Sequence, residues 1–428
     1  MAVAATETHD AIDAVWRIES PKLIAALTRL VRDVGLAEDL AHDALVTALE
    51  QWPRTGIPRN AGAWLMTAAK NKAVDVLRRR TRLHRKHEEL GHELPSVSEA
   101  PDLDAALDDD IGDDLLRLVF IACHPALSID ARVALTLRLL GGLTTDEIAR
   151  AFLAPEPTIA QRIVRAKRAL AKARVPFEVP RGADRAARLS SVLEVIYLIF
   201  NEGYSATAGD DWMRPALCDE ALRLGRILAG LMPDESEVHG LLALMEIQAS
   251  RLKARATAAG TPILLLDQNR AVWDQLLIRR GLAALRRAEQ LDGANRPYAL
   301  QAAIAACHAR ARTTAETDWR RIVSLYDALA IVMPSPVVEL NRAVAVSMAD
   351  GPRAALDLVD ALVARGVLRN YHLLPSVRGD LLVKVGRLEE ARAEFERAAA
   401  LTQNAREREL LLGRAAACVT RQAPATAP

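Results

Sequence analysis

Apolar residues recur along this chain three and four positions apart, and strict alternation is almost absent. That period is the signature of helices with one buried face. Between residues 60 and 86, Trp64, Leu65, Ala68, Ala69, Ala73, Val76 and Leu77 form one stripe, which predicts a long helix. From Leu143 to Leu170 the pattern runs, breaks and restarts. Ile148, Ala149 and Phe152 make a first short helix. Thr144 and Thr145 stand before it as hydroxyl caps, and Glu147 follows Thr144 at capping-box spacing. Pro155 and Pro157 interrupt, because proline is tolerated only in a helix's first turn. Ile159, Ile163, Val164 and Ala166 form the apolar side of a second helix. The run Leu193–Phe200 is apolar apart from Glu194 but too short to cross a membrane, and Asn201 and Glu202 end it, so it reads as a core helix. The whole chain is therefore expected to be all-α.

The polar positions sharpen the picture. Residues 60–86 carry eight Lys or Arg against one acid, Asp75. Some of these cations would complement a helix dipole, but eight exceed what a dipole needs. A cationic helix with an interleaved Trp64 suits a nucleic-acid backbone. On the second short helix, Thr158, Gln161, Arg162, Arg165 and Arg168 are left off the apolar side. That layout fits a helix-turn-helix whose second helix enters a DNA groove. A surface helical hairpin with solvated arginines would share the pattern.

The C-terminal half holds helical pairs. Residues 380–399, with Gly386 as the break and Ala391, Phe395 and Ala398 packing the second helix, resemble a tetratricopeptide unit. Residues 337–362 form another such pair around Asp350-Gly351-Pro352, and 214–231 and 271–290 are candidates for divergent ones. A generic helical domain without a true period is the other reading for residues 180–310.

Composition narrows the function classes. The 428 residues are 51% apolar, 26% charged and 4% aromatic, with a net charge of +1. The near-neutral total hides a reversal: Glu88 to Asp114 holds eleven acids and no Lys or Arg. Such a run is most simply a solvated linker, or else a shield for the basic helices. The four cysteines, Cys123, Cys218, Cys307 and Cys418, lie far apart and read as buried thiols in a reducing cytoplasm. Cys123-His124 and Cys307-His308 are sequence neighbours whose side chains point to different helix faces, so no metal is expected. No secretory leader or membrane span is expected. No phosphate loop, dinucleotide fingerprint, nucleophile elbow or zincin pattern is present, so neither an enzyme nor a cofactor is expected.

Three segments in order resemble the extracytoplasmic-function group of bacterial sigma-70 factors. Ala37–Leu45 resembles the region 2 helix that docks on RNA polymerase. Trp64-Leu65, Asn71, Asp75 and Arg78-Arg79-Arg80 resemble the helix that binds the −10 promoter element. Leu143–Leu170 resembles region 4, which reads the −35 element. Phe200–Tyr204, Leu241–Met245, Asn341–Val346 and Tyr371–Pro375 further resemble a subgroup with a C-terminal tetratricopeptide-like extension.

The resemblance implies four segments: region 2 at residues 1–87, an acidic linker at 88–112, region 4 at 113–175, and a helical-repeat extension at 176–428. It implies a polymerase contact at Asp39, Leu40, Asp43 and Ala44. It implies −10 contacts at Asn60, Lys70, Asn71, Asp75, Arg78, Arg79 and Arg80, and −35 contacts at Thr158, Gln161, Arg162, Arg165 and Arg168. The implied partners are core RNA polymerase and promoter DNA, with a protein or small-molecule ligand for the repeats, and no membrane. The extension would be regulatory. The alternative is a tetratricopeptide scaffold that a sigma-like segment tethers to polymerase or DNA.

Overall fold

The computed structural model describes residues 2–89 and 111–422. The middle of the expected acidic linker, 90–110, lies outside them. The described chain is all-α, apart from two two-residue strands. It divides into two compact units, residues 1–196 and 197–428.

The first unit opens with α1 (Ala2–Val31), α2 (Val34–Thr55) and α3 (Ala61–Glu89). Their junctions follow from local chemistry. The Asp33 carboxylate accepts from Leu36 N at 3.0 Å and caps α2. Gly56, at φ +81°, adopts the left-handed backbone that ends it. Asn60 Oδ1 accepts from Ala63 N at 3.0 Å and starts α3. Leu65, Ala69 and Ala73 on α3 are buried, so the predicted stripe is the seam facing α1 and α2. Trp52 is fully buried, and Trp64 meets its ring edge-on, with centroids 5.2 Å apart.

Next come α4 (Ile111–Ala122), α5 (Ile129–Leu139), α6 (Thr145–Ala151) and α7 (Glu156–Lys172). The expected capping box is present: Thr144 Oγ1 accepts from Glu147 N at 3.1 Å, and Glu147 Oε2 accepts from Thr144 N at 2.8 Å. On α7 the buried line is Ile159, Ile163, Ala166 and Leu170. Val164, expected on that side, is exposed. It is one residue past Ile163, and 100° of rotation carries it off the seam. The final helix, α8 (Gly182–Tyr204), begins in the first unit and ends in the second. It contains the expected core run, with Leu193, Ile196, Ile199 and Phe200 buried.

The second unit continues through α9 (Pro215–Leu231), α10 (Ser236–Ala249), α11 (Gln275–Gln290), α12 (Pro297–Arg310) and α13 (Trp319–Val332). It finishes with α14 (Pro336–Ala349), α15 (Pro352–Ala364), α16 (Leu373–Lys384), α17 (Leu388–Leu401) and α18 (Ala405–Gln422). From α12 onward each helix packs on the next in sequence. Close approach is set by small residues: a Cβ on Gly379 would lie 2.8 Å from the Phe395 ring. The C-terminal part is tied back to the unit's start. Strands β1 (Ala208–Gly209) and β2 (Gln403–Asn404) pair in parallel. Buried Asn404 donates from Nδ2 to Ala206 O at 3.1 Å and Asp211 O at 2.8 Å.

Three cysteines are buried, Cys307 is half-buried, and all four are free. Burial pushes the Cys123 thiol up to about 11 and the Cys218 thiol up to about 12. No helix among the described residues is long and apolar enough to cross a membrane.

Candidate nucleic-acid interface

The two basic elements lie in the first unit. On α7, Thr158, Gln161, Arg165 and Arg168 are exposed and recur at spacings of three, four and three, opposite the buried line. Arg162 belongs to the same turn but leans aside. Its Nη2 lies 3.4 Å from the Asp130 carboxylate on α5, and it is half-buried. The turn before α7 places Leu153 at φ +49°, and the prolines at 155 and 157 set the helix start. The result is a short helix, a tight turn and a cationic second helix on a rigid base.

On α3, Asn71, Asp75, Arg78 and Arg79 are exposed, at spacings that keep the first three on one face. Lys70 is half-buried. The side chain of Arg80 lies outside the described residues. Asn60 is exposed, but its amide oxygen is committed to the α3 cap. Lys72, beside this face, donates from Nζ to Asp43 O at 2.9 Å and holds α3 to α2.

On α2 the four expected contact residues divide. Asp39 and Asp43 are exposed and share a face. Leu40 and Ala44 are buried and pack inward. The solvent-facing surface is thus the carboxylates, with exposed Val46 after them.

Sequence reasoning missed the residues that join α1–α3 to α4–α7. Glu38 is 4% exposed. It receives Arg138 Nε at 2.7 Å on Oε1, and its Oε2 pairs with Lys167 Nζ. Burial raises the Glu38 carboxyl, but Lys167 and Arg138 outweigh it and hold it below the ordinary carboxylate range. Arg138 also bonds His42 Nε2 at 2.8 Å and Leu143 O at 3.1 Å. Burial, then the Arg138 charge, push His42 below its usual value, so it is neutral and accepts at Nε2. Two more ion pairs cross the seam, Arg17–Glu147 at 2.5 Å and Arg29–Asp114 at 3.2 Å. A cavity of about 750 Å³ opens along it, lined in part by Arg29, Arg32, Lys167, Arg174, Ile121 and Phe177. The seam thus combines ion pairs and this cavity with the packing of α4 on α1. No periodicity could single out Glu38 or Lys167, because their partners lie a hundred or more residues away in sequence.

Residues 16–83 match the model of sigma-70 region 2, and residues 117–170 match that of sigma-70 region 4. Residues 188–289 match DUF6596, a family of unknown function. The chain is 45% identical over 393 residues to an uncharacterized protein of Rhizobium meliloti, covering 90% of this chain and 91% of that one. It is 25% identical over 171 residues to a probable ECF RNA polymerase sigma factor, SigI of Mycobacterium tuberculosis, covering 40% of this chain and 58% of that one. It is 29% identical over 161 residues to the ECF RNA polymerase sigma factor SigK of a Mycobacterium species, covering 36% and 78%.

Proposed function

This chain belongs to the ECF-type sigma-70 factors, in one family with the uncharacterized Rhizobium meliloti protein, and on that premise we propose how its residues work. Sigma factors are DNA-binding transcription-initiation factors and perform no chemistry of their own; the polymerase they join does that.

We propose that α2 presents Asp39 and Asp43 to core RNA polymerase. Residues Asn71, Asp75, Arg78 and Arg79 of α3 then hold the −10 element as it melts, with bases pulled out of the stack. The exposed line Thr158, Gln161, Arg165 and Arg168 reads the −35 element, arginines to base edges or phosphates. The observation that carries this reading is that line, clear of every core contact and opposite a fully buried seam.

The docked state of regions 2 and 4 bears on the mechanism. Elements named for −10 and −35 lie about 25 base pairs apart, or roughly 85 Å at 3.4 Å per pair. A compact unit of this length has a radius of gyration of about 16 Å. Both elements are then out of reach at once, so regions 2 and 4 part on initiation and the Glu38 contacts break. The helical second unit is regulatory in this reading and answers to a protein or a small molecule.

Run-off transcription with purified core polymerase on genomic fragments tests the proposal. Specific transcripts that require this chain support it. Polymerase binding with no promoter-specific transcript from any fragment would instead favour the scaffold reading, since a tether needs no reader.

A further inference from the structure

The second unit contains a group of buried cations that no carboxylate pairs with directly; the acid that acts on them is the exposed Glu316, through its charge on Arg270. Arg255 and Arg270 are each 9% exposed, and Arg251, half-buried, lies with them. Among the described residues no carboxylate forms an ion pair with any of the three. Buried arginines are almost always paired, because an uncompensated charge in a low-dielectric interior costs several kcal/mol.

Their known contacts account for only part of their hydrogen-bonding capacity. Arg270 donates from Nη1 to His308 O and Ala311 O, both at 2.9 Å, and from Nη2 to Thr317 Oγ1 at 3.0 Å. Arg255 donates to Tyr204 O at 2.9 Å, and its guanidinium lies 3.6 Å over the Tyr204 ring. Arg251 donates to the Tyr204 hydroxyl at 2.5 Å. The guanidinium carbons of Arg251 and Arg270 sit 5.8 and 5.2 Å from the centroid of the same ring, Trp273. His308 feels both arginine charges.

Four nitrogens of this group are sealed from solvent and have no protein partner: Arg251 Nε, Arg270 Nε, Trp273 Nε1 and His308 Nδ1. Trp273 is 3% exposed and His308 8%. Three of the four can only donate. Buried donors are nearly always satisfied, and each one left over costs about 1–3 kcal/mol. Orphan donors beside two cations that lack an ion-paired acid suit an acceptor that carries negative charge better than a neutral one.

We propose that Arg251, Arg270, Trp273 and His308 form a binding site for one small anion, a halide, a phosphate or a carboxylate. The arginines supply charge, and the indole and imidazole supply neutral donors. Burial and the two arginines push His308 down to about 4, so it stays neutral near pH 7 and adds no third charge. The site lies wholly in the second unit and does not depend on the sigma-factor reading. It would give that unit a ligand of defined class.

The test is an anion titration of the full chain in a low-ionic-strength HEPES buffer, with chloride, bromide, inorganic phosphate and acetate as separate probes. Tryptophan fluorescence and the melting temperature are read together. The expected result is a saturable fluorescence change with at least one anion. The melting temperature should rise by roughly 2–4 °C at tenfold saturation. Arg251→Gln should abolish both responses. Its side chain makes a single protein hydrogen bond, so the variant should fold, and circular dichroism would check it. Trp273→Phe, which keeps the ring and removes one donor, should weaken the melting response at least threefold. Responses that never saturate, or that persist unchanged in both folded variants, would show that water satisfies these donors, and the site would be withdrawn.

Discussion

Lys167 of α7 reaches back to Glu38 of α2, and this ion pair, shared with Arg138, fixes α7 against the helix that also carries the exposed Asp39 and Asp43. The pair is buried on the Glu38 side and half-buried on the cationic side. Removing one partner of such a pair costs more than the pair gains, because a charge is left uncompensated.

Glu38→Gln should therefore loosen the contact between regions 2 and 4 by about 3–5 kcal/mol, since Arg138 and Lys167 would face each other without an anion. Dyes attached at Thr55 and Lys172, both exposed positions at helix ends, would report it in the full chain. Transfer efficiency should drop relative to the wild type. Identical transfer in the two proteins would show that the apolar seam holds without Glu38.

Acid should open the same contact. His42 has a lowered pKa when docked, so its contribution is complete above its ordinary value of 6.5 and is lost as pH falls below it. Glu38 is lowered as well, so its contribution is complete above 4.5 and is lost below that. The dye signal should fall in two stages, the first starting near pH 6.5 and the second below 4.5. His42→Gln, which keeps an acceptor for Arg138, should remove the first stage alone.

Arg165 and Arg162 should differ in their effect on DNA. Arg165 is exposed and unencumbered, whereas Arg162 leans on Asp130. Arg165→Ala should cost about 1–3 kcal/mol on promoter DNA if it meets a base edge, and less on scrambled DNA. Arg162→Ala should cost less than half as much. Affinities measured at two salt concentrations would decide, and equal losses for the two variants would reject this division of roles.

The polymerase face should separate by burial. Asp43→Arg changes an exposed side chain and should keep the fold while weakening capture of core polymerase at least tenfold. Leu40→Glu buries an unpaired carboxylate in the core of α1–α3 and should unfold the first unit. Thermal melts followed by circular dichroism, run beside the capture assay, distinguish a lost surface from a lost core.

Much of this was legible in the sequence because it depends on neighbours within one turn or two. The α3 stripe, the capping box of Thr144 and Glu147, the break at Pro155 and the exposed arginines of α7 are all set by local period and cap chemistry. The same local rules marked α14 and α15 and α16 and α17 as pairs, since Gly351 and Gly386 must take the left-handed backbone between them. Val164 shows where that reasoning blurs, because an apolar residue at the margin of a stripe can turn either way.

What the tertiary structure alone decided is which charges meet. Glu38 reads in sequence as one more carboxylate on a polar helix. It is buried because α5 and α7 fold over it and supply Arg138 and Lys167 from a hundred or more residues downstream. Leu40 and Ala44 likewise read as part of a contact motif, and the packing of α1 and α3 turns them inward. Arg251, Arg270, Trp273 and His308 share no period or motif, and only the path of the chain from α10 to α12 brings them together. Local sequence fixes helices because their hydrogen bonds close within four residues. Burial of charge is a property of distant segments, and no sequence window contains it.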